Sequence, residues 1–63
     1  MEAVNIEPGT WLVVTDAEGK EHRMEALSRP ERGRDFPIVW VRRPLASGGH
    51  DRVPWPLESV RPA

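Results

Sequence analysis

Seven prolines, at positions 8, 30, 37, 44, 54, 56 and 62 of a 63-residue chain, decide which backbone this sequence can adopt. A proline inside a helix removes a hydrogen bond and clashes with the preceding turn, so only residues 9 to 29 are free to form a helix of ordinary length. That stretch carries strand signals instead. Thr10 to Thr15 is a run of β-branched, aromatic and aliphatic residues, preceded by Pro8-Gly9 and followed by Asp16-Ala17-Glu18-Gly19. Asp16 can bond its own turn and Gly19 can take a positive φ, so residues 16 to 19 predict a hairpin turn into a second strand over Lys20 to Leu27. There His22, Met24 and Ala26 fall on one side and Glu21, Arg23, Glu25 and Leu27 on the other. A short helix over 21 to 28 is the alternative for the same residues.

Ser28 to Phe36 is polar, holds Pro30 and Gly33, and carries Arg29, Arg32 and Arg34, which predicts a loop long enough to move. Pro37 to Arg43 is a second apolar run bracketed by prolines, with Ile38 and Trp40 on one face and Val39 and Val41 on the other, and predicts a central strand. After a turn at Ala46 to His50, Asp51 to Trp55 reads as a fourth strand, placed at an edge or kinked by Pro54. Pro56 to Val60 reads as one 3₁₀ turn, with Leu57 and Val60 three residues apart. The expected class is all-β: a single domain over residues 1–63, built as a small barrel of four to five antiparallel strands with a terminal 3₁₀ turn.

The order of these elements, and the ending Arg52-Val53-Pro54-Trp55-Pro56-Leu57-Glu58-Ser59-Val60, resembles the SH3-like barrel superfold over residues 4 to 61. The resemblance implies a long meander, a short fourth strand, a proline-flanked 3₁₀ turn and a closing segment. It is one of fold, which by itself fixes no function. The acidic loop and early aromatic pair of the polyproline-binding eukaryotic domains are not present in this sequence.

Composition narrows the function. Nine Lys plus Arg against ten Asp plus Glu give a net charge of −1, which excludes a generally basic nucleic-acid binder but allows a local patch. The absence of Cys removes disulfides, thiolate metal sites and Cys nucleophiles. No 18-residue apolar run or signal-peptide pattern is present, so a cytoplasmic chain is expected; a bacterial or phage origin is a separate expectation. His22 and His50 have no evident catalytic partner, and His50 with Asp51 supplies only two adjacent metal ligands. Neither a nucleophile motif nor a phosphate-cradling glycine loop occurs, so the expectation is no enzyme, no metal and no cofactor. A pore-type active site shared by a symmetric oligomer, as in plasmid-type dihydrofolate reductases, is an architectural analogy only.

What remains is binding. Trp11 and Trp40 lie in the two most apolar strands and are expected in the core. Trp55, rigidly held between Pro54 and Pro56, is the candidate exposed anchor, since an immobilised aromatic binds at low entropic cost. The alternative is that Trp55 caps an open barrel end and shields Leu57 and Val60. Residues 1 to 21 carry one Lys and five acids (−4), and residues 22 to 63 carry eight Arg and five acids (+3). Arg29, Arg32 and Arg34 on the loop, with Arg42, Arg43 and Arg52 on strand ends, are expected to form a basic face beside an aromatic, though Glu31, Asp35 and Asp51 neutralise part of it. The first expectation is a non-catalytic binding module or adaptor that docks a protein partner, or a second copy, through this surface. The alternative is a nucleic-acid-binding barrel that contacts phosphates through Arg29, Arg32, Arg34, Arg42 and Arg43, with Trp55 stacking on a base.

Overall fold

A computed structural model describes residues 6–63. Residues 4 and 5, where the expected barrel begins, lie outside the described residues. Six strands and one 3₁₀ turn follow in order: β1 (Trp11–Thr15), β2 (Glu21–Ala26), β3 (Glu31–Arg32), β4 (Pro37–Pro44), β5 (His50–Pro56), the 3₁₀ turn Leu57–Ser59, and β6 (Val60–Pro62). All pairings are antiparallel. β2 and β3 share one edge of β4, β5 takes the other, β1 lies beside β2, and β6 returns to the far edge of β1. The sheet curls into a half-barrel. The expected all-β class, the first hairpin and the 3₁₀ turn are observed. Within Lys20 to Leu27, Glu21–Ala26 forms a strand and not a helix. The loop from Ser28 to Phe36 differs from expectation, since Glu31 and Arg32 pair with Ile38 and Pro37 as a short extra strand.

The core is Ile6, Leu12, Val14, Met24, Ala26, Val39 and Val41, all buried, with Val53, Trp55, Leu57 and Val60 packed against them. Alternation along each strand explains this set. Leu12 and Val14 face inward, so Trp11 and Val13 face outward; Val39 and Val41 face inward, so Ile38 and Trp40 face outward. The expectation that Trp11 and Trp40 fill the core is therefore corrected. Trp11 is 54% exposed and Trp40 is half-buried on the outer face, because a sheet this small encloses space for aliphatic side chains from β1 and β4 and not for their indoles as well.

Trp55 goes the other way. It alternates with Arg52, Pro54 and Pro56 and pairs with Val39, so its ring packs on the core, and its indole Nε1–H donates to the Thr15 carbonyl at 3.1 Å. That bond ties the end of β5 to the end of β1 across the open side of the half-barrel. Trp55 is half-buried against the core, which is not the position of the exposed anchor expected from its flanking prolines.

The β1–β2 turn is held by one side chain. Asp16 Oδ1 accepts the amides of Glu18 and Lys20, each at 2.9 Å, while Oδ2 meets His22 Nε2 at 2.8 Å. Gly19 supplies the left-handed residue, at φ 84°. The imidazole of His22 and the two amides hold the Asp16 carboxyl below the ordinary carboxylate range, and the bidentate Arg61 guanidinium does the same for Glu21. A carboxyl whose pKa is lower folded than unfolded stabilises the fold above its unfolded pKa and loses that contribution as pH falls through the folded value. The expected result is a stability plateau above about pH 5 that declines in acid, with a shallower decline in Asp16→Asn and in Glu21→Gln. Urea midpoints measured from pH 7 to pH 2 check this. Parallel slopes in wild type and both variants contradict it.

Candidate functional site: an aromatic and arginine groove on the outer face of the β4–β5 hairpin

The register of β4 against β5 stacks three cross-strand rows on the outer face: Ile38 with Pro56, Trp40 with Pro54, and Arg42 with Arg52. The first two rows floor an open groove of ≈ 560 Å³, whose lip is the segment from Glu31 to Phe36. Phe36, at the base of that lip, is 48% exposed. Prolines fit here for a backbone reason. Trp40 directs both its amide, toward Ser28 Oγ at 3.2 Å, and its carbonyl, toward the Leu27 amide at 2.8 Å, away from β5. Trp40–Pro54 is thus a non-hydrogen-bonded pair, as is Ile38–Pro56 two residues on, and the missing proline amides fall on the open edge of β5 where no ladder bond is lost. Ser28 matters for the same geometry, because its hydroxyl serves the Trp40 amide where the chain bends between β2 and β3.

Ion pairing sorts the arginines. Arg43 forks onto Asp51 with bonds of 3.1 and 2.7 Å, Arg61 onto Glu21 at 2.7 and 3.3 Å, and Arg29 reaches Glu7 at 3.3 Å. Arg42 lies 4.0 Å from Glu25. Arg52 sits over the Trp40 ring, 4.9 Å from its centroid, a cation–π placement that orders both side chains. Of the six expected arginines, Arg32 and Arg34 line the groove on its lip, and Arg42 and Arg52 form the next cross-strand row beyond Trp40–Pro54, outside its lining. Arg29 and Arg43 are engaged elsewhere, and Trp55 lies on the opposite face of its strand. The groove's aromatics are Trp40 and Phe36, which were not proposed as contact residues from sequence. A signal for Trp40 was present: Arg42, two residues along, marks the face shared by Ile38 and Trp40 as the solvent side.

Other candidates disperse. His50 and Asp51 are strand neighbours whose side chains take opposite faces, and Asp51 is held by Arg43. Among the described residues, no three His, Asp or Glu side chains group as a metal site. No helix among them is long and apolar enough to cross a membrane. Comparison with known proteins finds no matching family, no matching curated protein and no matching solved structure.

Proposed function

We infer that this chain is a non-catalytic binding module that docks a protein partner through the outer groove of the β4–β5 hairpin. The observation that carries the reading is the groove itself: a floor of Ile38, Trp40, Pro54 and Pro56 walled by the segment from Glu31 to Phe36, with the Arg42–Arg52 row next along the same face of the hairpin. Aromatic and arginine side chains are the residues that most often dominate binding energy, and prolines with a stacked Trp–Arg pair lose little entropy when a partner arrives. Strand order supports a small SH3-like barrel as the scaffold. A meander through β1, β2 and β4, a hairpin to β5, the 3₁₀ turn and the return of β6 to β1 follow that superfold's sequence of elements.

Selection from a phage-displayed peptide library tests the function. Binders are expected that are lost on Trp40→Ala and on Phe36→Ala, and retained on Trp11→Ala, with losses of roughly tenfold or more for the aromatic anchors. Binders insensitive to both groove variants refute the reading. A mixed-sequence oligonucleotide titrated at low and at physiological salt tests the competing nucleic-acid reading. Tight, steeply salt-dependent binding centred on Arg32, Arg34, Arg42 and Arg52 replaces the protein partner with a phosphate backbone.

A further inference from the structure

We propose that the segment taken by this groove is an extended acidic peptide, read across the sheet face, with one carboxylate over Arg42 and Arg52 and apolar side chains two and four residues away from it. The inference rests on the groove being a docking site and adds the chemistry and residue spacing of its occupant.

Charge complementarity fixes the acidic end. The lip carries Glu31 and Asp35 as well as Arg32 and Arg34, so its formal charges cancel. The opposite end does not cancel. Arg42 and Arg52 face each other as a non-hydrogen-bonded pair, the closer type, with Cα atoms roughly 4.5 Å apart. Like charges directly opposite destabilise a sheet. One carboxylate stands near, Glu25 at 4.0 Å from Arg42, while Arg52 turns aside onto Trp40. This row carries one positive charge more than its neighbours neutralise, at the margin of an apolar shelf. A carboxylate placed between the two guanidinium groups removes the repulsion and accepts charge-assisted hydrogen bonds from both.

Spacing fixes the pattern. The rows Arg42–Arg52, Trp40–Pro54 and Ile38–Pro56 recur every two residues of strand, about 7 Å. An extended peptide laid along β4 presents alternate side chains on one face at the same interval, so an acidic residue on the first row sets side chains two and four residues away over the Trp40–Pro54 and Ile38–Pro56 rows. The edge argues for the face. The outward amide positions of β5 are His50, Arg52, Pro54 and Pro56, and the two beside the Trp40 and Ile38 rows lack an N–H, so a partner strand added along that stretch finds no donors there.

The test is an amide and indole NMR titration of the full chain with three synthetic peptides. The first contains aspartate-serine-leucine-serine-leucine; the others carry asparagine or lysine for the aspartate. The aspartate peptide is expected to shift the Trp40 indole and the amides of residues 38–42 and of Arg52, Val53 and Trp55. The asparagine peptide should bind roughly tenfold more weakly and the lysine peptide more weakly still. Arg42→Gln and Arg52→Gln should each reduce the difference between aspartate and asparagine, and Arg42→Gln does so with the Arg52–Trp40 stack in place. Equal binding of all three peptides at Trp40 overturns the acidic assignment and leaves the docking groove standing. Shifts confined to the β5 edge, or none at Trp40 with any peptide, overturn both.

Discussion

Trp55→Ala is expected to remove about 4 kcal/mol of stability, a large share of what a domain this size holds, and not merely a ligand contact. A 63-residue domain has a total stability of roughly 3–9 kcal/mol. Truncating a core-packed Trp to Ala costs about 3–5 kcal/mol, the lower end applying to Trp55 because it is half-buried. The indole bond to the Thr15 carbonyl adds about 1 kcal/mol and joins residues 40 apart in sequence, so its loss loosens the contact between β5 and β1. Trp55→Phe keeps most of the packing and loses the bond, and should cost about 1–2 kcal/mol with groove binding retained. Urea denaturation followed by far-ultraviolet circular dichroism separates the outcomes. A Trp55→Ala chain within 0.5 kcal/mol of wild type, on the order of an ordinary surface substitution, would place the ring on the surface and overturn the packing described above.

The reversal of roles between Trp55 and the other two tryptophans shows what the sequence made legible. β1 and β4 follow from runs of β-branched and aromatic residues, β2 from alternation, and β4 and β5 also from proline punctuation, and the Asp16–Gly19 turn follows from the chemistry of its first and last residues. Edge placement of β5 followed from Pro54. Which face of a strand turns inward is harder to read, because β1 is apolar at each of its first four positions and β4 at Ile38 to Val41. Period two then gives two equivalent choices, and the volume enclosed by the curled sheet makes the selection. β5 was less ambiguous. Val53 and Trp55 share one face and Arg52, Pro54 and Pro56 the other, so the inward Trp55 was readable from alternation had the flanking prolines not suggested exposure. Ile6 and the pairing of Glu31 and Arg32 with β4 had no comparable local signal, since both depend on contacts made after the sheet has formed.

The groove lip depends on Gly33, and Gly33→Ala should damage the site with far less effect on the core. The Gly33 amide donates to the Phe36 carbonyl at 3.0 Å, closing the tight turn that presents Arg34 and Asp35 and turns the chain into β4. A Cβ at Gly33 would overlap that same Phe36 carbonyl oxygen and stand 3.0 Å from Ile38 Cγ2. The first obstacle is backbone, so no side-chain rotation relieves it; the turn opens, the closing bond is lost and Phe36 moves off the groove. β3 cannot resist this, having two residues paired to β4. Overpacking of this kind costs about 1–3 kcal/mol, and each kcal/mol lowers the melting temperature of a domain this size by roughly 4–8 °C. Amide shifts and lost exchange protection should concentrate at residues 31–38, while the β1–β2 hairpin and the Trp55 indole keep their wild-type positions. Peptide affinity should fall with the displaced lip even at temperatures where Gly33→Ala remains folded. Unchanged Phe36 shifts together with wild-type stability would mean that the turn accepts a side chain, and the lip would then not be a fixed wall of the groove.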